Sequence, residues 1–129
     1  MRLRMFTAIA VAAAVFAAPA LAEGDAKKGA KVFRKCKACH VVDEETNKVG
    51  PHLVGIIDRS IATAEGYKYS GAMIEFGADG KVWDVETLTL YLKSPKDLIK
   101  GTKMVFVGLK KDADLENIIA YLQDPASAE

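Results

Sequence analysis

Cys36-Lys37-Ala38-Cys39-His40 contains both cysteines of the chain and one of its two histidines. A disulfide between two thiols three positions apart would close so small a loop that it would restrict the unfolded chain very little. A structural disulfide is therefore not expected, and the segment indicates a chemical role for the two thiols and the imidazole beside them.

Two thiols at this spacing, followed directly by a histidine, form the attachment pattern for a c-type haem. Each thiol can add to one vinyl group of a single macrocycle, which holds the adjacent imidazole under the iron as the proximal ligand. The pattern predicts one haem c, covalently bound through Cys36 and Cys39, with His40 as a ligand of the iron.

Two other uses of the cysteine pair are weaker. A thioredoxin-like dithiol would follow a strand in an alternating strand and helix pattern, whereas this pair closes a predicted helix. A structural zinc site needs four ligands, so it would have to use every cysteine and histidine of the mature chain. Because Cys39 and His40 are adjacent, they cannot easily both reach one tetrahedral ion.

Residues 1–22 have the three-part layout of a secretory signal peptide. Arg2 and Arg4 form a basic head, an apolar run extends from Met5 to Ala18, and Ala20-Leu21-Ala22 supplies small residues for a signal peptidase. The apolar run is shorter than the roughly 20 residues that a membrane-spanning helix needs. Cleavage after Ala22 is therefore predicted rather than an uncleaved anchor, which places the mature protein in the periplasm, where bacteria attach haem covalently.

The mature domain, residues 23–129, is close to neutral. The whole sequence has 18 basic and 17 acidic residues, and removal of Arg2 and Arg4 leaves 16 and 17. This balance gives no case for binding nucleic acid, and recognition of a charged partner would depend on how the charges are arranged. A domain of this size has a modest core, part of which a large cofactor can fill.

Capping residues and apolar periodicity predict a mostly α-helical fold. The expected helices run from an N-cap at Asp25 to about Lys37, over a short turn at 70–76, from Asp84 to Ser94, from Ser94 to Gly101, and from Asp112 or Asp114 to Asp124. The expected inward-facing residues of the third and the last helix are Val85, Leu88, Tyr91, Leu92, Leu115, Ile118, Ile119 and Leu122. Residues 105–109 are the one place where a strand could be argued. The glycine-rich segment 41–69 is too long for a structureless connection unless it wraps around something.

The mature chain resembles a class I c-type cytochrome, of the small soluble bacterial type related to the mitochondrial carrier. Five segments carry the resemblance, in family order and at near-family spacing: Cys36 to His40, Val-Gly-Pro-His-Leu-Val-Gly at 49–55, Tyr-Leu-Lys-Ser-Pro-Lys at 91–96, Gly-Thr-Lys-Met at 101–104 and Ile-Ile-Ala-Tyr-Leu at 118–122. The resemblance implies N- and C-terminal helices that cross, through Gly29, Phe33 and Tyr121, with loops and short helices wrapped around one haem.

The resemblance implies Met104 as the second ligand of the iron. Gly101 and Gly108 bound the loop around this residue, so the loop can place a thioether on the open face of a haem. Met73 is expected to pack on a helical turn, although the mitochondrial pattern has an amide there that bonds a propionate. The Pro51 carbonyl is expected to accept the Nδ1–H of His40, which puts His52 on the wrong side to be a ligand. His52 is expected at the surface or near the propionates.

The remaining site residues also follow from the resemblance. Tyr91 is expected near the sulfur of Met104, and the residues expected near the haem propionates are Arg59, Tyr69, Trp83 and Thr102. Buried carboxylates need paired donors, which an arginine, a tryptophan and a tyrosine provide. The alternative for the two aromatic residues Tyr69 and Trp83 is an ordinary place in the core.

Ligation by histidine and methionine leaves the iron no open position. The resemblance therefore implies a single-electron carrier and not an enzyme, a monomer working between a cytochrome bc-type complex and a terminal oxidase or photosynthetic reaction centre. Acidic docking faces of these complexes would meet the lysines at 35, 37, 48, 96, 100 and 103, unless these are ordinary surface residues. A haem enzyme or gas-binding sensor is the alternative, and it requires that Met104 not bind the iron.

Overall fold

The computed structural model describes residues 24–129, together with residues 13 and 14. The predicted signal peptide and its cleavage site otherwise lie outside the described residues. The α-helices of the described part are α1 (Ala26–Phe33), α2 (Gly71–Phe76), α3 (Val85–Lys93), α4 (Pro95–Leu98) and α5 (Asp112–Gln123), with short 3-10 helices at Ala78–Gly80 and Pro125–Ala128. In residues 24–129 the only β-structure is one isolated bridge between Ser60 and Val82, so the strand considered at 105–109 is not present.

Two of the predicted N-caps, Asp25 and Asp84, are where the sequence places them, and Ser70 caps α2 in the same way. The side chains of Asp25, Ser70 and Asp84 accept hydrogen bonds from the backbone N–H groups of Lys28, Met73 and Thr87, respectively. Each bond satisfies a donor that the first helical turn would otherwise leave without a partner.

Several expected bounds were wrong. Helix α1 ends at Phe33 and not near Lys37, because the chain continues as hydrogen-bonded turns to Cys39. Helix α4 ends at Leu98 and not at Gly101. Helix α5 begins at Asp112 with Lys111 at the N-cap position and no side-chain cap, so neither Asp112 nor Asp114 caps it. The acidic residues of this first turn still interact favourably with the helix dipole.

Helices α1 and α5 cross at a glycine, as expected. A Cβ added to Gly29 would collide with the backbone oxygen of Asn117 and lie 2.6 Å from the Cβ of Tyr121. The ring of Phe33 packs against that of Tyr121 with 5.3 Å between centroids. Close approach at this point brings the apolar stripe of α5 into the core, where Leu115, Ile118, Ile119 and Leu122 are all buried. In α3, Leu88 and Tyr91 are buried and Leu92 is partly so, but Val85 is 42% exposed, so its expected inward position was wrong.

The segment 41–69 forms no helix or strand, as its glycines predict. Hydrogen bonds within the segment hold it instead: Asn47 Nδ2 donates to the Glu65 carbonyl at 2.8 Å, and the Asn47 Oδ1 accepts from the His52 N–H at 3.1 Å. Near the bridge, Trp83 N donates to Arg59 O and Asp58 N to Trp83 O, at 2.9 and 2.8 Å. These bonds fix Arg59 beside Trp83. None of the described helices is long and apolar enough to cross a membrane.

Candidate haem-binding site

A partly open cavity of about 250 Å³ lies among residues of α1, α3, α5 and the loops between them. Its lining includes every residue that the sequence predicts for the site: Cys36, Cys39, His40, Pro51, Arg59, Tyr69, Trp83, Tyr91, Thr102 and Met104. Native protein interiors contain few voids larger than a water molecule. A cavity of this size, around which the long segment 41–69 is wrapped, therefore indicates a bound group of substantial size.

The two cysteines lie in the turns that follow α1, and both thiols are free and half-buried. The N–H groups of Cys39 and His40 both donate to the Cys36 carbonyl at 3.0 Å, which fixes the three residues in one compact turn. Burial raises the pKa of the Cys36 thiol, and the charge of Lys35 opposes this only partly. Reactive redox thiols have lowered pKa values. The environment of Cys36 therefore does not favour a thioredoxin-like pair.

His40 is oriented by the two residues Gly50 and Pro51. Its Nδ1 lies 2.7 Å from the Pro51 carbonyl oxygen, so Nδ1 carries the proton and donates it. Gly50 packs directly on the ring, since a Cβ there would collide with Cε1 and lie 2.7 Å from Nδ1. Burial lowers the pKa of His40, and the Pro51 bond opposes this shift. A neutral imidazole whose Nδ1 is used in this way keeps the Nε2 lone pair for a metal.

Met104 enters the cavity from a loop that is tied to α3. The hydroxyl groups of Tyr91 and Thr102 are 2.6 Å apart, and Thr102 Oγ1 also lies 3.4 Å from the Met104 N–H. Tyr91 is buried and its ring packs on Trp83 with 5.0 Å between centroids. The hydroxyl of Tyr91 thus restrains the loop that carries Met104 through its bond to Thr102.

Arg59 has a buried polar atom without a partner. Its Nε is shielded from solvent and makes no hydrogen bond within the described part of the chain. Burial lowers the pKa of this guanidinium, opposed in part by Tyr69. The Tyr69 hydroxyl accepts the Ala64 N–H at 2.9 Å, which holds the ring at the cavity wall. An unpaired buried donor costs on the order of 1–3 kcal/mol, more when charged, so Arg59 indicates an acceptor in the cavity.

His52 does not line the cavity and is only 8% exposed, so the first of its two expected positions, at the surface, was wrong. Its Nδ1 lies 3.3 Å from Arg59 Nη1, behind the cavity wall. Met73 packs against the core, as expected, but it also lines the cavity, so the site contains a second thioether. Sequence reasoning missed Asn47 and Gly50. The Gly50-Pro51 pair carried a signal for Gly50, because a glycine before a residue that bonds an imidazole permits close approach.

Among residues 24–129, the other metal-binding side chains do not gather into a site. In the part of the chain that the structure describes, no three side chains of His, Cys, Asp or Glu are placed to hold one metal ion. The second histidine, His52, is engaged with Arg59 and Val54 and not with the cysteines. The zinc alternative therefore has no support in the geometry.

A family model described as cytochrome c matches residues 26–125. The chain is a class I c-type cytochrome. It carries haem c, covalently attached through its only two cysteines, Cys36 and Cys39, and it functions in electron transport.

Curated relatives are similar over most of the mature domain of this cytochrome. "Cytochrome c-type cyt cy" of Rhodobacter capsulatus is 53% identical over 105 residues, which cover 81% of this chain and 51% of the relative, so the chain spans about half of that protein. Cytochrome c-550 of Ancylobacter novellus is 50% identical over 97 residues, with 74% and 91% covered. Cytochrome c2 of Agrobacterium tumefaciens is 44% identical over 108 residues, with 83% and 97% covered.

A solved structure has the same fold. Cytochrome cH from Methylobacterium extorquens is 41% identical, aligns with a TM-score of 0.69, and is covered over 97% of its length by 77% of this chain. The predicted class I cytochrome c fold is therefore confirmed for this cytochrome.

The residues around the cavity fit a haem c by their own chemistry. Two free thiols, a neutral imidazole with one nitrogen available, and two thioethers line one apolar space. The unpaired Nε of Arg59 fits an anionic propionate, since a buried carboxylate needs a paired donor. The Tyr69 and Trp83 side chains at the same wall add an O–H and an N–H that can donate.

The rim of the cavity combines lysines with exposed apolar side chains. Lys35, Val49, Lys103 and Val105 all contribute to the lining, and the two valines are 77% and 94% exposed. The ammonium group of Lys103 donates to the Lys68 carbonyl at 2.6 Å. All six lysines of the predicted docking ring are exposed: Lys35, Lys37, Lys48, Lys96, Lys100 and Lys103.

Proposed function

We propose that this cytochrome is a periplasmic carrier of single electrons, moving them from a cytochrome bc-type complex to a terminal oxidase or a photosynthetic reaction centre, and that it is not an enzyme. The observation that carries the proposal is the arrangement of Cys36, Cys39, His40 and Met104 around one cavity. This set would offer a single haem two thiols for attachment and two side chains that can bind its iron.

In this proposal His40 Nε2 and the Met104 sulfur would hold the haem iron. Bound haem c supplies a ferric–ferrous couple, whose potential a His and Met ligand pair raises. Pro51 fixes the tautomer and orientation of His40, and the Tyr91–Thr102 bond restrains the loop that presents Met104. Two side chains bound to the iron would leave oxygen and peroxide no place to bind. Electrons then pass through the exposed rim without bond formation.

The docking face in this proposal is the cavity rim with its ring of six lysines. The exposed Val49 and Val105 are apolar surface near the haem that can lose its water when a partner docks. The surrounding lysines attract an acidic partner. Charge arranged in this way speeds encounter more than it tightens binding, which suits a carrier that must leave its partner quickly. Lys48 and Lys103 donate to the backbone carbonyls of Lys37 and Lys68, so their charges are held at fixed points.

Ligand saturation is tested by adding carbon monoxide to the reduced holoprotein. The absorbance spectrum of an electron carrier should not change, since Met104 occupies the sixth position. Ready binding of carbon monoxide would contradict the proposal and favour the haem enzyme or gas-binding sensor.

Electrostatic docking is tested by the rate of electron transfer to an acidic redox complex over a series of ionic strengths. The rate should fall as salt screens the charges, because the Debye length shrinks from about 30 Å at 0.01 M to about 10 Å at 0.1 M. Lys35→Gln should slow the reaction at low salt. The matched control is Lys31→Gln, on the exposed part of α1 and outside the cavity lining. Equal rates for both variants, or no salt effect, would contradict the docking face.

A further inference from the structure

Two residues that do not line the cavity, Val54 and His52, hold the Arg59 guanidinium from behind. Its Nη1 donates to the Val54 carbonyl at 3.1 Å and lies 3.3 Å from His52 Nδ1. Its Nε, by contrast, is buried and has no partner among the described residues. The guanidinium is therefore anchored through one nitrogen, while another remains available.

The hydrogen bonds at His52 fix which of its nitrogens carries the proton. Two donors meet Nδ1: the Arg59 guanidinium and the Val54 N–H, each at 3.3 Å. A guanidinium and a backbone N–H can only donate. Nδ1 must therefore be the acceptor with a free lone pair, and the proton of the neutral ring is on Nε2.

His52 itself has little freedom to move. It is 8% exposed, and its backbone N–H donates to Asn47 Oδ1 at 3.1 Å. It also follows Pro51, whose carbonyl takes the Nδ1–H of His40. One short segment thus orients His40 through Pro51 and Arg59 through His52.

We propose that His52, as the neutral tautomer protonated on Nε2, is a positioning residue that holds the Arg59 guanidinium so that its Nε–H stays available to a haem propionate. This inference rests on the proposed function. Arg59 is the group that meets the propionate, and His52 acts only through Arg59. A guanidinium kept beside the propionate disfavours the more positive ferric state, so it raises the reduction potential.

The first test measures the reduction potential of four holoproteins: the parent, His52→Leu, Arg59→Met and the double variant. His52→Leu removes the acceptor and places an apolar side chain of similar bulk there, so its potential should fall in the same direction as that of Arg59→Met. In the double variant the His52 change should add nothing, because its effect passes through Arg59. Equal falls on both backgrounds would overturn the proposal.

His52→Asn is the conservative control. Its side-chain oxygen can accept from Arg59 in place of Nδ1, so the potential should return toward that of the parent. A purely structural role would lower the unfolding midpoint in His52→Leu but leave the potential unchanged, and that outcome would refute the inference. If His52→Leu fails to fold, His52→Ala removes the same acceptor with less bulk, and the potentials of His52→Ala and of the double variant His52→Ala, Arg59→Met test the same coupling.

A second measurement needs no variant. Nitrogen-15 NMR of the reduced, diamagnetic holoprotein should show His52 Nδ1 without a proton and Nε2 with one. A proton on Nδ1 would overturn the tautomer and with it the positioning role. Failure of the proposed function looks different: the reduced parent itself would then bind carbon monoxide readily, whatever the state of His52.

Discussion

The hydroxyl of Tyr91 and the Oγ1 of Thr102 lie 2.6 Å apart, and this bond joins the buried face of α3 to the loop that carries Met104. Burial raises the pKa of Tyr91, while the bond to Thr102 opposes the shift. The hydroxyl is therefore protonated at neutral pH and fixed in place. A single polar contact inside an apolar wall restrains the segment two residues from the proposed ligand.

Tyr91→Phe should loosen the Met104 loop without creating a cavity, because only the hydroxyl is lost. Removal of one buried hydrogen bond should lower the free energy of unfolding by about 1 kcal/mol, measured by chemical denaturation of the holoprotein. Thr102→Val removes the other partner and should act through the same bond, so the double variant should lose less than the two single losses combined. Fully additive losses would show that the two hydroxyls are not coupled.

Gly50→Ala should disturb the site, since the new methyl group would collide with the His40 ring. The imidazole is held by Pro51 and cannot easily retreat, so we expect a loss of about 1–3 kcal/mol in the free energy of unfolding and a lower yield of holoprotein. The matched control is Gly71→Ala, where a Cβ meets nothing within 4 Å at the start of α2. That change should be neutral or should stabilise by up to about 1 kcal/mol. Equal effects of the two variants would contradict the close packing of Gly50 on His40.

The local features of this fold could be predicted from the sequence, and the features that depend on distant contacts could not. The stripe of α5 and the caps Asp25 and Asp84 follow from periodicity and from residue type over one or two turns. The burial of His52 depends on segment 41–69 folding back on itself through Asn47, and no local pattern encodes that. Val85 was wrongly expected to face inward. It is the first residue of α3, and a residue at the end of a helix can match the apolar periodicity and still be exposed.

The candidate site shows the same division. The cysteine pair, His40 and Met104 could be named because each occurs in a short segment with its own chemical logic. The link from His52 to Arg59 could not be named, since it joins residues of a loop whose path only the packed structure gives. Met73 was expected to pack, but its access to the cavity depends on how α2 docks.

The exposed cap Asp84 should make the stability of α3 depend on pH. Its carboxylate accepts the Thr87 N–H at 2.7 Å, and hydrogen bonding to Thr87 lowers the pKa of Asp84 below its ordinary value. A carboxyl group with a lowered folded-state pKa stabilises the fold above its unfolded-state pKa, and this contribution is lost as the pH falls through the folded-state pKa. Asp84→Asn keeps an acceptor but does not titrate. The parent should therefore have the higher urea midpoint at pH 7, and the difference should shrink toward pH 3; a constant difference would contradict the assignment.

Met104→Ala should keep the haem but remove one ligand of its iron. Attachment depends on Cys36 and Cys39, so the pigment should survive denaturing electrophoresis, while loss of the thioether should lower the potential and let the reduced protein bind carbon monoxide. The matched control is Met73→Ala, which removes the other thioether of the same cavity. Met73→Ala should leave the spectrum unchanged and should not bind carbon monoxide. A fully buried methionine loses about 2–5 kcal/mol of stability on such truncation, so the loss at the half-buried Met73 should be smaller. The reverse pattern would identify Met73 as the ligand. If neither variant bound carbon monoxide, neither thioether would be the group that keeps carbon monoxide from the iron.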